Sequence, residues 1–427
     1  MPQLQLSDIT ATLKEVLLPY VQDNFPKKTI LLDQMKRDSE TLVMNDEFLA
    51  PIYTTRHGGI ANLADDGNNV ISSGGRDTSR ATVSVEIVTG ALNISKLAID
   101  ASKSNALAVQ NSLQAQTETL TKDFARHLNR QLYGGGDGVI SMVRTTGGSV
   151  GTGTIAVEAI ATSEAGIGTV DDGRALDYYG TINGDISPTK YFAVDQIVGV
   201  GTAAAALGTI TSVTGTSIVS GAPTAIVTAA NDAIYILDGS GEGAGTSEIL
   251  GIRAALSSTT GTSLYAGLAR NTVGWTPSFG SASAALTLVR LEAMDGDVQE
   301  YADSQDKYVI LVNKTLYRKY GDLLTAMRRT VNQTDLLGGW KGLEFAAGGN
   351  VVGVFRDYDV PDGEVLLINL DTWKILQVSD TSWMEDPSGG GLLRLQNTIQ
   401  YQAVMHWFVN ALCVAPAANA KETRKSA

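Results

Sequence analysis

Residues 7–21 repeat apolar positions at helical spacing, with Ile9, Leu13, Val16, Leu17 and Tyr20 on one face and Ser7 or Asp8 placed to cap the first turn. A short apolar patch, Ile30, Leu31, Leu32 and Met35, follows Pro26 inside a basic segment. The period then changes to two. Phe48, Ala50 and Ile52 alternate with polar neighbours as a strand does, and Val83, Val85 and Ile87 do the same further on. Between them His57 to Ser79 is Gly, Asn, Asp and Ser with little to bury. A structureless loop of that length is improbable inside a compact domain. The pattern predicts a long two-stranded arm that leaves its own body. An isolated hairpin is marginal in water, so the arm is expected to rest on a neighbouring chain.

A helical period returns from Ser104 to Tyr133, with Val109, Leu113, Leu120, Phe124, Leu128 and Leu132 on one face and Glu118 and Lys122 paired on another. Gly134, Gly135 and Gly136 end it. At the rise of an α-helix this beam is ~45 Å long. Lys and Arg then almost vanish across 145–250, where short β-branched runs (Tyr191–Val200, Gly208–Ile218, Ala225–Val227, Ala233–Leu237) alternate with turns. These predict a small all-β unit inserted into a mixed α/β remainder. Beyond 250 the pattern predicts a helix over 286–301, a buried strand Tyr308–Val312 ending at Asn313, and a helix from Lys314 to Thr330. Short strands broken by Pro361, Asp362 and Gly363 follow over 350–376, and closing strands over 392–414.

Composition narrows the class. A chain of 427 residues exceeds one simple core, so two or three folding units are expected. Apolar residues make up 43% and charged residues only 18%, with 45 Gly. That balance excludes disorder and suits short strands, tight turns and broad contacts between subunits. The net charge of −13, without a basic stretch, argues against reading nucleic acid and fits a container for DNA better. The single cysteine, Cys413, lies in an apolar run and reads as a small buried hydrophobe. No run is long enough for a transmembrane helix, and no signal peptide is visible. The protein is therefore expected to be made and used in a cytoplasm.

Groups that carry chemistry are sparse. His57, His127 and His406 stand in no metal-binding or triad-like context. No phosphate-binding loop is present, and Gly151 to Ala156 only mimics a dinucleotide fingerprint. Asp238, Ser240, Glu242 and Gly243 begin like a calcium loop, but Ile249 occupies the place of the bidentate acid. Asp65-Asp66 and Asp171-Asp172 sit in polar loops and read as solvated. No catalytic residue, cofactor or metal is expected, and the chain is not expected to be an enzyme. The candidate functional residues are contacts between subunits: Arg56, Arg76 and Arg80 on the hairpin, and Glu86. Arg makes planar, bidentate pairs with carboxylates and is favoured at interfaces. One or more of these arginines is expected to bridge to an acid on an adjacent subunit; simple solubility of a hairpin rim is the alternative.

The order of parts resembles the Hong Kong 97 type of tailed-bacteriophage major capsid protein, an α+β fold. Local phrases resemble that family too: Thr121 to Gly134 at the end of the long helix, Asp335 to Phe345, Asp380 to Asp386, and Gln400 to Trp407. The resemblance covers 1–140 and 250–415. It implies an N-terminal arm over 1–45, an extended loop over 46–95, and a spine helix with peripheral domain over 96–144. The β-rich insertion domain would span 145–250, and the axial domain with the remainder of the peripheral domain 251–427. It also implies a subunit of hexamers and pentamers that close into an icosahedral shell around double-stranded phage DNA, assembled in the host bacterial cytoplasm, with separate scaffolding, portal and cement or decoration proteins as partners. Some members link the extended loop to a neighbour through a Lys–Asn bond; residues 46–95 contain no Lys, so this loop lacks that chemistry. Some members begin with a cleaved scaffolding segment; here the arm begins near residue 1, so scaffolding is expected from another chain. The competing readings are an encapsulin-like compartment shell, a β-rich phage tail or receptor-binding protein, and an enzyme. The long helix opposes the tail protein, and the missing catalytic groups oppose the enzyme.

Overall fold

The computed structural model describes residues 30–39, 42–60, 74–96, 106–136, 248–257, 261–280, 284–303, 307–326, 340–347, 350–357, 363–384 and 400–423. It also describes short segments at 138–142, 149–150, 154–156, 197–200, 205–213, 217–220, 226–227, 233–236, 333–336, 359–360, 393–394 and 425–426. The helix expected over 7–21 and the acid pairs at 65–66 and 171–172 lie outside these residues. The chain forms two compact units. One holds Ile87–Leu128 and Ser379–Phe408, and the other holds Thr29–Glu86, Asn129–Val378 and Val409–Ala427.

In the second unit the apolar patch after Pro26 becomes helix α1 (Ile30–Gln34), which buries Ile30, Leu31 and Leu32. Strand β1 (Lys36–Asp38) follows. Strands β2 (Leu42–Met44) and β3 (Glu47–Tyr53) pair antiparallel, and β3 pairs with β4 (Thr78–Ser84) in the register Phe48 to Val83, Ala50 to Ala81 and Tyr53 to Thr78. The β2–β3 turn places Asn45 at φ 53 and Asp46 at φ 62. Those residue types tolerate the left-handed region best after glycine, which is why a two-residue hairpin turn forms there. Phe48, Ala81 and Val83 are buried. Beyond Ala81 towards Thr78 no residue of either strand is buried, so the hairpin runs out of its own core.

The alternation Val83, Val85, Ile87 does not continue as one buried face. Strand β4 ends at Ser84, Val85 donates its amide to the Asp46 carbonyl at 2.8 Å, and β5 (Glu86–Ser95) starts afresh. The interruption shifts the phase: Glu86 and Val88 are buried and Ile87 is 57% exposed.

In the first unit, β5 pairs with a long closing strand, whose early part also pairs with the short strands Ser382–Trp383 and Leu393–Arg394. Helix α2 (Ala106–Tyr133) contributes its residues up to Leu128 to this unit and packs Leu120 and Phe124 against Gly90 of β5. A β-carbon at Gly90 would sit 3.3 Å from the Leu120 methyl, so glycine sets the close helix–strand approach.

The largest sheet of the second unit grows from the fully apolar run Tyr308–Val312. Such β-branched runs suit strands covered on both faces. Further on the chain forms α3 (Ile252–Ala255), β6 (Ser278–Gly280), α4 (Leu288–Gln299), β7 (Tyr308–Val312) and α5 (Lys314–Ala326). Strands β8 (Trp340–Ala347), β9 (Asn350–Arg356) and β10 (Val365–Asn369) come next. The chain closes with β11 (Trp373–Gln377), β12 (Gln400–Cys413) and β13 (Ala420–Glu422). The seven-stranded order is β6, β13, β10, β7, β9, β8 and then Gln333–Leu336, mixed in direction because β7 runs parallel to β9 and antiparallel to β10. Thr287 caps α4 by accepting the Arg290 amide, and Asn313 accepts the Leu316 amide at 2.9 Å at the start of α5. Leu291, Met294 and Val298 of α4 and Leu316, Tyr320 and Leu324 of α5 then join Ile310, Val354 and Leu367 in one core. A smaller sheet pairs β11 with β1 in parallel and with Val409–Cys413 of β12 in antiparallel.

The Lys- and Arg-poor stretch, joined by Val139–Met142 just ahead of it, forms a separate six-stranded antiparallel sheet in the order Val139–Met142, Ala233–Ile236, Ile197–Val200, Ala205–Val213, Ser217–Ser220 and Thr154–Ala156. The expected run Gly208–Ile218 is split between two of these strands, paired to each other. Thr154–Ala156 is a strand and not the opening of a helix, which removes the dinucleotide resemblance at Gly151.

Candidate assembly surfaces

The end of α2 is the junction of the second unit. Asn129 accepts the Leu32 amide at 3.3 Å and donates to the Asp359 carboxylate at 2.6 Å, and Tyr133 donates to Asp357 at 2.9 Å. Arg130 pairs with Glu248. Gly251 lies against the helix end so closely that a β-carbon would come within 2.5–2.6 Å of the carbonyls of Gln131, Leu132 and Gly134. These contacts fix the body from which the β3–β4 hairpin departs.

The hairpin ladder extends past the regular strands. Thr54 donates to the Asp77 carbonyl at 3.1 Å, Asp77 donates to the Thr55 hydroxyl at 2.9 Å, and Gly58 donates to the Gly75 carbonyl at 3.4 Å. The chains come so close at Gly58 and Gly74 that a β-carbon on Gly74 would lie 2.6 Å from the Gly58 carbonyl carbon. The glycines of this run therefore serve a narrow two-stranded arm. Its surface displays Tyr53 at 64% and Ile60 at 68% exposure.

The four expected contact residues fall in different settings. Arg76 is exposed but engaged on its own hairpin, donating to the Thr55 carbonyl at 3.3 Å and lying 4.5 Å over the Tyr53 ring. Arg56 and Arg80 are exposed, and neither forms an ion pair with a described residue. Arg80 stands opposite Pro51 in the register. Glu86 is buried and accepts the Ser84 hydroxyl at 2.6 Å; burial pushes its carboxyl above the ordinary carboxylate range, against the lowering effect of that bond. The structure thus brings Arg76 and Arg80 onto one arm and places Glu86 at its root.

Sequence reasoning missed a set of buried charges because nothing local marks them. Arg270 is 1% exposed and donates to the carbonyls of Ala254 and Ala255 at the end of α3. Arg253 is 5% exposed, with Nη1 buried and without a hydrogen-bond partner. Lys421 and Glu364 pair inside the second unit.

Chemistry remains sparse. Cys413 is buried, and desolvation pushes its thiol up to about 12, which leaves it protonated and unreactive. His57 accepts the Gly59 amide at 3.1 Å, and His406 lies 3.4 Å from the Ser382 hydroxyl and edge-on to Phe408. Ile249, in the place of the acid in the calcium-like run, is buried. Among the described residues no group of three or more His, Cys, Asp or Glu is placed to hold a metal, and no helix is long and apolar enough to cross a membrane.

No protein-family model matches the chain, and no curated protein matches it. Solved structures do. The capsid subunit of cyanophage A-1(L) superposes with a TM-score of 0.53 at 12% identity, covering 96% of this chain and 96% of that one. A capsid subunit of a native GTA particle (TM-score 0.44, 10% identity, 99% and 100% covered) has a score too low to carry an argument. So does the SrpI encapsulin of Synechococcus elongatus (0.41, 8%, 99% and 97%). The chain therefore shares the mixed α+β fold of the cyanophage A-1(L) capsid subunit.

Proposed function

We propose that this chain is a structural major capsid protein, a subunit that assembles with copies of itself into hexamers and pentamers of an icosahedral shell enclosing phage DNA, and that it is not an enzyme. The observation that carries the reading is the shared fold over almost the whole length of both chains, this one and the cyanophage A-1(L) capsid subunit. Two features of this chain support it. The β3–β4 hairpin leaves its own core after Ala81, and an arm without a core of its own gains stability by resting on another surface. The acidic balance, 45 Asp and Glu against 32 Lys and Arg, keeps the protein off the DNA it would surround.

In this reading 1–45 is the N-terminal arm, 46–95 the extended loop, 96–144 the spine helix and peripheral domain, and 145–250 a β-rich insertion domain. Residues 251–427 supply the axial domain and the rest of the peripheral domain. Residues 46–95 contain no Lys, so this loop brings no lysine cross-link to the shell, which is then held by non-covalent contacts. Scaffolding, portal and cement proteins would come from other chains. An encapsulin-like compartment is the second reading, since that class also builds shells.

Electron microscopy of the purified protein, expressed with and without its candidate scaffold, tests the proposal. Closed shells of uniform diameter, or rings of five or six subunits, are expected. A monomer in both preparations at high concentration would remove the shell reading. Shells that form in cells around an enzyme and never around DNA would favour the compartment.

A further inference from the structure

Where the hairpin leaves its body, the body meets it with a strained turn. Leu264–Tyr265 and Leu268–Ala269 pair antiparallel around two residues, Ala266 at φ 49 and Gly267 at φ 75. Two positive φ values in a two-residue connection suit Asn-Gly; an alanine there crowds its own β-carbon. The turn nevertheless holds this shape, and the Ala266 carbonyl accepts the Thr82 amide of β4 at 2.9 Å. Gly267 faces the same residue: a β-carbon on it would lie 2.5 Å from the Thr82 hydroxyl oxygen.

The turn is braced on its far side. Trp275 donates to the Tyr265 carbonyl at 3.0 Å, and the Tyr265 hydroxyl accepts the Cys413 amide at 2.9 Å. Arg270 donates its amide to the Ser263 carbonyl at 2.8 Å while its guanidinium holds the end of α3. Past Ala81 towards Thr78 no described residue of the two hairpin strands is buried. A fixed post thus touches a lever at its pivot. Strained backbone kept in place by its surroundings is a mark of a positional role.

We propose that the Tyr265–Leu268 turn is a stop that sets the angle at which the extended hairpin leaves the subunit, with Ala266, Gly267 and Thr82 as positioning residues and a second copy of this chain as the surface on which the arm must land. The inference rests on the shell reading for its consequence, though not for its geometry. From Thr82 to Gly74 the arm spans about 26 Å at the rise of a strand, so a tilt of about 10° at the stop moves the tip by about 4 Å, more than one strand residue. A landing contact with residue-level register does not survive that displacement.

The test uses the full chain in two states. Hydrogen exchange on unassembled subunits reads the stop itself, and electron microscopy of assembly products reads its consequence. Gly267→Ala is expected to leave circular dichroism unchanged, speed exchange of the β4 amides by about tenfold, and turn uniform closed shells into open or irregular ones. Adding Thr82→Ala to that variant opens the space that the new methyl needs and is expected to restore much of both readouts. Ala266→Gly, which folds without a clash, is expected to loosen the stop and broaden the range of shell diameters. Unchanged β4 exchange and unchanged shells in Gly267→Ala and Ala266→Gly would overturn the proposal while leaving the shell reading in place. If wild-type subunits never assemble, the shell reading falls, and the exchange data alone decide whether the turn holds the hairpin.

Discussion

The Lys421 ammonium stands 3.1 Å from the Glu364 carboxylate, and neither side chain is more than 3% exposed. The pair sits between β13 and the segment leading into β10, with the Phe279 ring 6.0 Å from the ammonium. Removing one partner leaves the other charge buried and uncompensated, which costs about 3–5 kcal/mol, whereas an apolar replacement of both is close to neutral. Glu364→Gln is therefore expected to lower the unfolding midpoint of the subunit sharply, and Glu364→Leu with Lys421→Met to recover most of it. Chemical denaturation of wild type and the two variants checks this. Equal losses in the single and double variants would mean that packing, and not charge, holds this edge of the sheet.

Asp295 makes the opposite argument. It lies on the core face of α4, walled by Leu291, Met294, Ile310, Phe345, Val352 and Leu367, and accepts the Gln299 amide at 2.9 Å. Burial raises its carboxyl above the ordinary value, and the Gln299 bond only partly offsets that. A carboxyl with a raised folded-state value favours folding in its protonated form. Its ionisation begins to destabilise the fold as pH climbs past the unfolded value of about 4, and the penalty is complete once pH exceeds the folded value. Asp295→Asn, which keeps an acceptor for Gln299, should raise subunit stability at neutral pH and leave it unchanged near pH 4. Thermal melts across that range read the difference, and a loss at neutral pH would show that the charged form is the one the core favours.

Arg253 extends the same logic to a cation. Its Nη1 is buried without a hydrogen-bond partner. A buried polar group left unmatched costs free energy that an apolar side chain of similar length does not. Arg253→Met is expected to stabilise the isolated subunit by about 1–4 kcal/mol, the range seen when buried charges are replaced by well-packed apolar groups. Destabilisation in urea unfolding would show instead that the guanidinium is satisfied within the subunit.

Much of this architecture is legible along the chain because its causes are local. Gly134 ends α2, and Asn313 caps α5 where an apolar run meets a helical period. The Gly-, Asn-, Asp- and Ser-rich run from His57 to Ser79 marks a hairpin that leaves its core, since it holds little to bury. What was illegible depends on distant partners. Val85 breaks the alternation because its amide turns to Asp46, which no periodicity reports. Gly90, Gly251 and Gly267 are dictated by Leu120, by the end of α2 and by Thr82, so their glycines look like ordinary turn residues in sequence. Nothing beside Arg253, Arg270 and Lys421 in the sequence marks them as buried, though folding withdraws all three from water.

Ala266 offers a stability prediction separate from its part in setting the hairpin. The β2–β3 turn uses Asn45 and Asp46 at positive φ, whereas the Tyr265–Leu268 turn puts an alanine in the same region at φ 49. A non-glycine residue there carries a cost of roughly 1–2 kcal/mol that asparagine partly escapes. Ala266→Asn is expected to raise the melting temperature of the subunit, by the equivalent of about 0.5–1 kcal/mol, with hairpin protection in hydrogen exchange kept or increased. A lower melting temperature would mean that the half-buried Ala266 site has no room for the amide.

Arg80 separates assembly from folding most cleanly among the hairpin residues. It is exposed beside Pro51, on the face that also carries Leu49 and Tyr53, and makes no ion pair with a described residue. Arg76 differs, being already engaged by Thr55 and Tyr53. A free planar guanidinium suits a carboxylate on another surface, and a chain with 45 acidic residues has many to offer. Losing one such charge-assisted contact is worth about 1.4 kcal/mol, or tenfold in each subunit contact, and a closed shell repeats the contact in every copy. Arg80→Ala subunits should therefore melt like wild type before assembly, yet give fewer particles that fail at lower temperature. Arg80→Lys should recover only part of the loss, since an ammonium keeps the charge but not the fork. Arg80→Ala particles with wild-type yield and heat stability would reduce this residue to a solubilising group on the hairpin rim.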